Sequence, residues 1–376
     1  MINGTVRTLM ALLTIVCLFS SANSNLDRLA VDAWSAEENK VILDTDMAAA
    51  GDDTLALYLL TQADALQRIE LLGVTTTGGN VFTAEATANA LRQLELVDRA
   101  DIPVAQGEAQ PLGGFRNLAE ESRLYGAPAY CGAYWDEAAG DFFDLALVPE
   151  DYTQLNAEPA LGYAGTAASE QAAADFIIEK IHAYPGQVTL LCAGPATNVA
   201  AALQKDPSIA AEAAGIIYMG GDIDIPGSAT AAAEFNWYYD PEAIRICLAA
   251  DWKLQLVVPD DLGSQVKLSG AMFDKLGRRA SSPAAKLALS QEAALRDTPA
   301  WDLLAAIIYL NPDLVTDVET RYLTVDDAPG IDSGRAVSWK ENAPEGVRQV
   351  SIVTGLDVDA MWEYYVNLMA WKQPGT

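Results

Sequence analysis

The stretch from Lys40 to Leu59 (KVILDTDMAAAGDDTLALYL) constrains the fold more than any other part of the chain. It begins with a short apolar run, Val41 to Leu43, of the kind found in buried parallel strands. Four carboxylates follow, where the strand pattern ends and a helix pattern begins: Asp44, Asp46, Asp52 and Asp53. In open α/β sheets, ligands bind beyond the carboxyl ends of the strands. The stretch therefore predicts an α/β fold with a ligand site at this junction.

These four carboxylates repel one another strongly unless a cation lies among them. Carboxylate oxygens are hard ligands, which favour Ca²⁺ or Mg²⁺. A second interpretation needs no metal, because acids at a helix N-terminus cap the helix and gain from its macrodipole. Both interpretations place the acids at the start of a helix near Asp53.

Strand patterns alternate with helix patterns along nearly the whole chain. We expect strands at 41–43, 69–76, 102–105, 187–192, 215–219, 254–258, 321–325 and 347–353. We expect helices at 53–65, 83–97, 169–183, 241–250, 281–295, 301–310 and 358–371, and another after Asn198. This alternation predicts a mostly parallel open sheet with helices on both faces, within a single α/β domain over residues 25–376.

One segment, residues 111–168, interrupts the alternation. It is rich in glycine, alanine, acids and aromatic side chains. Segments this long inside a compact domain are usually functional or disordered, and the aromatic content favours an ordered one. Two interpretations stay open: a flap over the site, or a packed structural excursion.

The charge and the start of the chain limit the partners and the location. The chain has 23 Lys and Arg against 52 Asp and Glu, a net charge of −29, which argues against nucleic acid or an anionic membrane as partner. Met1 to Ser24 has one charged side chain, Arg7, then an apolar core and a run of small residues. This is the pattern of a secretory signal peptide. We therefore expect a secreted or periplasmic protein without membrane attachment once the signal is removed.

Neither cysteine nor histidine forms a recognisable site in the sequence. Cys17 belongs to the predicted signal peptide, and the other cysteines are too widely spaced for a zinc pattern or a disulfide framework. The single histidine, His182, lies where a predicted helix ends, a position at which a cation favours the helix dipole. We expect it to be a helix-end residue rather than a catalytic base.

Several polar motifs accompany the first aspartates, each at the end of a predicted strand or the start of a predicted helix. They are Gly79-Asn80, Ala193-Gly194-Pro195-Ala196-Thr197-Asn198, Ala233-Glu234-Phe235-Asn236 with Asp240-Pro241, and Trp301-Asp302. Together with the first aspartates, these motifs occur in an order and at a spacing that resemble those of the inosine–uridine-preferring nucleoside hydrolase family. The resemblance extends over about residues 40–315. The loop between Asp46 and Asp52 is two residues longer than in the common family form, DTDPGIDD.

The resemblance implies a nucleoside hydrolase-like fold and a Ca²⁺-dependent enzyme that hydrolyses the N-glycosidic bond of small-molecule ribonucleosides. By position in the motifs, the Ca²⁺ ligands would be the side chains of Asp46, Asp53 and Asp302 and the carbonyl oxygen of Ala193. The residues that hold the ribose hydroxyls would be Asp52, Asn80, Glu234 and Asn236. Asp44 would accept hydrogen bonds beside the metal ligands. Family members are often dimers or tetramers, so the resemblance also allows a homo-oligomer.

The same resemblance implies a mechanism, in which the catalytic residues would be Asp46, Asn236 and Trp301. Asp46 would act as general base towards a Ca²⁺-bound water, which attacks an oxocarbenium-like ribose. Contacts with the 2′- and 3′-hydroxyls imply that ribosides are preferred to deoxyribosides.

Two substrate-binding positions depart from the common family pattern. Trp301 stands where many members have a histidine that is thought to protonate the leaving base. It resembles the purine-specific branch, in which stacking raises the basicity of the purine, and an aromatic residue from 125–135 could complete the stack. A core position at the start of a helix is the alternative for Trp301. Ser228 replaces a common asparagine, which should weaken the hold on the 5′-hydroxyl.

Two other functions stay open at this point. A secreted relative that binds calcium and ribosides without turnover is consistent with the missing histidine and with Ser228. A haloacid dehalogenase-type phosphohydrolase also carries Asp-x-Asp after a strand, and Asp260-Asp261 resembles its later metal-binding pair. That enzyme class needs Thr or Val where this chain has Ala48, and it does not explain Asn80.

Overall fold

A computed structural model of the chain describes residues 39–371. The predicted signal peptide at 1–24 and the residues that join it to the first strand lie outside the described residues. Within the described part, no helix has both the length and the apolar character needed to cross a membrane.

Between residues 39 and 371, nine strands form one sheet and two short strands form a separate hairpin. The strands are β1 (Lys40–Thr45), β2 (Glu70–Thr76), β3 (Val104–Gln106), β4 (Trp135–Asp136), β5 (Asp141–Phe142), β6 (Val188–Cys192), β7 (Gly215–Met219), β8 (Gln255–Val258), β9 (Val315–Val325), β10 (Ala336–Trp339) and β11 (Arg348–Leu356). The sheet order is β10-β9-β11-β8-β7-β6-β1-β2-β3, with β4 and β5 in the hairpin. Pairing is parallel from β11 through to β3 and antiparallel only where β9 joins β10 and β11. The predicted mostly parallel sheet is confirmed.

Helices cover both faces of this sheet, as predicted. They are α1 (Asp52–Ala65), α2 (Thr83–Leu96), α3 (Leu118–Tyr125), α4 (Ala173–Ala183), α5 (Thr197–Lys205), α6 (Ile209–Glu212), α7 (Phe235–Tyr239), α8 (Pro241–Ala249), α9 (Asp260–Gly263), α10 (Gly270–Gly277), α11 (Pro283–Ser290), α12 (Glu292–Leu295), α13 (Trp301–Leu310) and α14 (Val358–Ala370). Side chains of β1 alternate between the two layers, as a buried strand requires. Val41 and Leu43 pack with α1, α13 and α14, whereas Ile42 packs with α4, α5 and α8.

The register of the parallel strands brings their carboxyl ends to one edge. Asp44 of β1 is paired with Thr75 of β2 on one side and with Cys192 of β6 on the other. Cys192 is paired with Tyr218 of β7, which is paired with Val257 of β8. Each polar motif that follows one of these strands therefore begins at the same edge, which is the ligand-binding edge of an open α/β sheet.

Two helix predictions need correction, and one helix was not predicted. The helix predicted at 281–295 is two helices, since α11 begins at Pro283, with Ser282 as its cap, and ends before Gln291. The helix predicted from residue 169 begins only at Ala173. No element was expected at 270–277, where α10 forms. His182 lies in the last turn of α4, as predicted, and its ring nitrogens contact Asp206 and Glu212.

The excursion at 111–168 packs against α7. It contains α3 and the β4–β5 hairpin. Leu118 and Tyr134 are buried in a small cluster with Phe235, Tyr238 and Tyr239. The packed interpretation is therefore the correct one for these side chains, while Tyr130 of the same segment extends to the edge that carries the motifs.

Candidate active site

Three carboxylates from two helix starts form the centre of the site. Asp52 and Asp53 open α1, and Asp302 is the second residue of α13, which packs against α1. Their carboxylate oxygens lie within 4.8 Å of one another. The backbone N–H of Asp302 donates to Oδ2 of Asp52 at 2.6 Å, and the hydroxyl of Thr45 donates to Asp53. We call Asp52, Asp53 and Asp302 the three-carboxylate group.

Burial and mutual repulsion make this group costly to ionise without a cation. Burial, followed by the charge of Asp53, raises the pKa of Asp52 to about 7. Burial raises the pKa of Asp53 as well, although hydrogen bonds from Thr45, Asp302 and Asn80 oppose the change. The pKa of Asp302 is well above its usual range because of burial and the charges of Asp52 and Asp53. Closely spaced, buried oxygen donors of this kind fit a hard divalent cation, whose charge would keep all three ionised.

Asp46 lies beside the three-carboxylate group and is linked to it by Asn80. The backbone N–H of Asn80 donates to Oδ2 of Asp46 at 2.6 Å, while its side-chain amide donates to Oδ2 of Asp53 at 3.2 Å. Asp46 is buried, and burial together with the charge of Asp53 raises its pKa well above the usual range. Asp46 itself is not a member of the three-carboxylate group, whose third acid is Asp52.

Two glycines leave the space that Asp46 occupies. A Cβ atom on Gly79 would lie 2.0 Å from Oδ2 of Asp46, and one on Gly194 would lie 2.9 Å from the Asp46 backbone nitrogen. Such distances are far below van der Waals contact. The Gly79-Asn80 and Gly194-Pro195 motifs therefore supply backbone that approaches Asp46 closely, which only glycine permits.

Asp44 lies beneath the site and ties three elements together. Its Oδ1 accepts from the hydroxyl of Thr75 at 2.5 Å and from the side-chain amide of Asn198 at 2.7 Å. The Asn198 amide also donates to the carbonyl oxygen of Thr76 at 3.0 Å. Burial raises the pKa of Asp44 to about 6, against the opposing effect of these hydrogen bonds. Asp44 thus accepts hydrogen bonds, as expected, while the metal-ligand role of its neighbours stays a prediction.

Asn236 and Ala193 are brought together as neighbours. The side-chain amide of Asn236 donates to the carbonyl oxygen of Ala193 at 2.9 Å and to that of Met219 at 3.2 Å.

Glu234, two residues earlier, is the N-cap of α7. Its carboxylate accepts from the backbone N–H groups of Asn236 (2.8 Å), Trp237 (3.2 Å) and Gly221 (2.9 Å). Burial raises the pKa of Glu234 to about 7.

Ser228 is held by an aspartate that the sequence did not single out. Its backbone N–H and hydroxyl both contact Oδ2 of Asp222, at 2.7 Å and 3.1 Å. Asp222 is 4% exposed, and among the described residues its other oxygen, Oδ1, is buried without a hydrogen-bond partner. Burial and the charge of Glu234 raise its pKa to about 8. The signal in the sequence was its position directly after β7 and two glycines.

Trp301 and the Asp260-Asp261 pair meet at the same edge. The indole N–H of Trp301 donates to Oδ1 of Asp260 at 2.5 Å. Asp261 accepts from the backbone N–H groups of Ile223 and Asp224, both at 2.8 Å. Both acids are thus committed to protein donors, and neither belongs to the three-carboxylate group. This arrangement disfavours the phosphohydrolase alternative. Trp301 is half-buried and packs partly against the main core, as the alternative interpretation expected.

The excursion contributes Tyr130 to the site. Its hydroxyl donates to Oδ1 of Asn80 at 2.8 Å, and its ring packs edge-on against Phe235 with centroids 4.7 Å apart. Burial and the charges of Asp46, Asp53 and Asp52 raise the pKa of Tyr130. Tyr130 is nevertheless 47% exposed, so part of it can be reached by a ligand. An aromatic residue from 125–135 was expected here; its stacking with Trp301 stays a prediction.

Comparison with known proteins gives one consistent result. Residues 41–363 match the family described as inosine-uridine preferring nucleoside hydrolase. Uridine nucleosidase 1 of Arabidopsis thaliana is 30% identical over 349 residues, which are 87% of this chain and 92% of that protein. A plant nucleoside hydrolase of known structure has a TM-score of 0.68 at 26% identity, over 89% of this chain and 100% of the other. A purine-preferring ribonucleoside hydrolase from Gardnerella vaginalis shares the fold, with a TM-score of 0.67 at 24% identity over 88% and 98% of the two chains.

Proposed function

The chain belongs to the inosine-uridine preferring nucleoside hydrolase family and is a ribonucleoside hydrolase, and from this premise we propose that it acts at the edge described above, with Asp46 as general base and purine ribosides as favoured substrates. The observation that carries the proposal is the contact of Asn80 with both Asp46 and Asp53, which places Asp46 beside three closely spaced carboxylates.

The proposed cation is Ca²⁺. Its ligands would be Asp46, Asp53, Asp302 and the carbonyl oxygen of Ala193, with Asp52 close enough to contribute. The all-oxygen donor set and the raised pKa values of the buried carboxyls support a hard divalent ion. When bound, Ca²⁺ supplies a positive charge that acidifies water and attracts vicinal hydroxyls.

Asp46 is prepared to accept a proton before substrate binds. The Asn80 backbone N–H holds its Oδ2, and the close backbone at Gly79 and Gly194 restricts any rotation of the carboxylate. A base fixed in this way needs little reorganisation when it removes a proton from the attacking water. The water oxygen bonds to the anomeric carbon, while the electron pair of the broken C–N bond leaves with the base.

Ribose recognition falls to polar groups that are held in place by the protein. Asn236 is fixed by the carbonyl oxygens of Ala193 and Met219, and Asn80 by Tyr130 and Asp53. With Asp52 and Glu234, these residues would contact the hydroxyls. Groups built to pair with a hydroxyl reject a substrate that lacks it, because they are then left unpaired. We therefore expect ribosides to be preferred to 2′-deoxyribosides.

The base is proposed to lie between aromatic side chains. Trp301 and the exposed part of Tyr130 offer flat apolar surfaces, and stacking on such surfaces is worth about 1–3 kcal/mol per base in nucleic-acid binders. A purine presents more ring area than a pyrimidine, which supports a purine preference. The relatives differ on this point, since one is named for uridine and another for purines.

We test the proposal by base release from inosine, guanosine, adenosine, uridine and 2′-deoxyinosine, each with Ca²⁺ and with EGTA. We expect Ca²⁺-dependent release, fastest from the purine ribosides, and almost none from Asp46→Ala. The control is Asp274→Asn, which removes one exposed carboxylate from α10. Equal rates on uridine and inosine would overturn the purine preference, and full activity in Asp46→Ala would overturn the role of Asp46. Binding without release would favour the non-catalytic alternative.

We also propose that the protein is exported, because residues 1–24 have the pattern of a signal peptide.

A further inference from the structure

The hydrogen bond from the Trp301 indole to Asp260 has no part in the mechanism proposed above. The N–H to Oδ1 contact measures 2.5 Å between heavy atoms, and Asp260 is only 2% exposed. A hydrogen bond to a carboxylate is charge-assisted and stronger than one between neutral groups. Trp301 therefore has a fixed, anionic partner at the nitrogen edge of its ring.

The indole is fixed a second time by Gly263, the last residue of α9. A Cβ atom at that position would lie 2.5 Å from Cδ1 of Trp301, so the ring rests directly on the backbone there. The carboxylate determines the direction of the N–H, and the glycine determines how closely the ring approaches α9. Together these two contacts restrict the orientation of the indole.

This orientation matters because the pair lies inside the site. Trp301 directly precedes Asp302, a member of the three-carboxylate group, in the sequence. On its other side, the negative charge of Asp260 acts on Asp222 and Glu234, where it adds to burial in raising their pKa values. Trp301 is thus next in sequence to a predicted metal ligand, and its partner Asp260 is close enough to Asp222 and Glu234 to influence their pKa values.

We propose that Asp260 is a positioning residue that orients the Trp301 indole and makes its face more electron-rich, so that the ring selects leaving bases that carry positive charge. This inference rests on the proposed function. A carboxylate at the N–H edge pushes ring electron density outward, and a richer π face attracts a cation more strongly. Asp260 itself is not expected to touch substrate.

The leaving base supplies the positive charge. A purine has a basic ring nitrogen, N7, which can take a proton from solvent while the bond between C1′ and N9 breaks. The electron pair of that bond stays on N9, so the base leaves neutral after passing through a cationic form. Uracil has no comparable basic ring nitrogen. The Asp260–Trp301 pair should therefore favour purine ribosides in the bond-breaking step rather than in binding alone.

The test is Asp260→Asn, which retains an acceptor oxygen of the same size and removes the charge. We expect kcat for inosine and guanosine to fall about tenfold, the scale of one cation–π contact, and kcat for uridine to change by less than about twofold. In a Trp301→Phe background, which lacks the indole N–H, Asp260→Asn should have no further effect on either substrate. Asp274→Asn is the matched control for loss of one carboxylate.

Three results would overturn the inference while leaving the hydrolase proposal intact. They are an equal loss of kcat on inosine and uridine, no loss of kcat on inosine, and an undiminished effect of Asp260→Asn in the Trp301→Phe background. If Asp260→Asn does not fold, Gly263→Ala, which displaces the ring, should give the same change in the ratio of inosine to uridine kcat; an unchanged ratio overturns it.

A binding measurement separates this inference from the proposed function. 7-Methylguanosine, a purine riboside that carries a positive charge at about pH 6, should quench tryptophan fluorescence in the wild type, less in Asp260→Asn, and least in Trp301→Phe. If the wild type hydrolyses no riboside, the proposed function fails, yet this series still decides the inference: quenching that is the same in all three proteins overturns it.

Discussion

Asp222 shows how one side chain can couple stability to pH. Its Oδ2 is held by Ser228, its Oδ1 is buried without a partner among residues 39–371, and its pKa is raised to about 8 by burial and by Glu234. At pH values between the usual pKa of 3.8 and the raised pKa of about 8, the Asp222 side chain keeps its proton in the folded protein and has lost it in the unfolded chain. Because the folded state then binds more protons, the free energy of unfolding falls as pH rises through this range.

Asp222→Asn should remove this dependence. The amide keeps an oxygen acceptor for Ser228 and cannot ionise. We expect the variant to exceed the wild type in free energy of unfolding by roughly 1–3 kcal/mol at pH 8, with a smaller difference at pH 5. Urea unfolding at the two pH values, with excess Ca²⁺ throughout, measures the effect. Asp274→Asn is the control, and a wild-type pH slope in Asp222→Asn would show that Asp222 does not titrate as described.

Gly79→Ala tests the close packing around Asp46, the proposed general base. The added Cβ would lie 2.0 Å from Oδ2 of Asp46, so the carboxylate or the Asn80 backbone must move. A displacement of about 1 Å can cost on the order of a hundredfold in rate, and we expect at least that loss in kcat. Gly277→Ala is the control, because its nearest neighbour is 3.8 Å away. A kcat near the wild-type value would show that the site tolerates movement of Asp46.

At the scale of elements, α7 and α10 show where sequence patterns were insufficient. The five residues of α7 are too few for a helical period, and the helix is stabilised by its cap, Glu234, and by the excursion packed against it. No element was predicted for α10, which has glycine at both ends. Ser269 nevertheless caps the helix through the Met272 N–H, and three apolar side chains of α10 are buried. Tertiary contacts therefore override weak local propensity.

The attachment of the excursion to the sheet can be tested at Arg116. Its guanidinium donates to the carbonyl oxygen of Tyr238 at 2.9 Å, pairs with Glu121 at 2.9 Å and lies 3.9 Å from the Tyr238 ring centroid. Arg116→Ala should release this segment and speed chymotrypsin cleavage near Tyr125 and Tyr130.

The matched control for that experiment is Arg123→Ala, since the Arg123–Glu120 pair is exposed on both sides and worth little. Digestion is followed by mass spectrometry, which identifies the cleaved bonds. Identical cleavage rates in Arg116→Ala and in the wild type would show that other contacts hold the excursion in place.

On the scale of the whole molecule, the sheet explains how much the sequence could predict. The parallel strands and the motifs after them could be identified locally, and the sheet then brings their ends to one edge. The contact between Asp52 and Asp302 joins residues 250 positions apart, and only packing of α1 on α13 reveals it. The contacts of Asp222 with Ser228 and of Asp260 with Trp301 could not be predicted either, because their partners lie on separate strand ends or loops, and the sequence predicted an aromatic residue from 125–135 without identifying Tyr130.

Cation binding should stabilise the whole fold. Three buried carboxylates with raised pKa values lose most of their repulsion when a divalent ion is bound. At a concentration of about 100 times Kd, Ca²⁺ should add about 2.7 kcal/mol to the free energy of unfolding and raise Tm. Asp53→Asn should abolish most of this gain, whereas Asp274→Asn should retain it. A Tm that is insensitive to Ca²⁺ and to EGTA in the wild type would contradict the assignment of the site.

The central claim is that hydrolysis depends on a divalent cation held by Asp46, Asp53 and Asp302. The most direct measurement is a Ca²⁺ titration of EGTA-treated protein, with bound Ca²⁺ and base release from inosine and uridine recorded in the same samples. We expect the rate to rise in proportion to occupancy and to level off at about one ion per chain, with neither change in Asp53→Asn. A full rate in protein that holds no divalent metal would contradict the account.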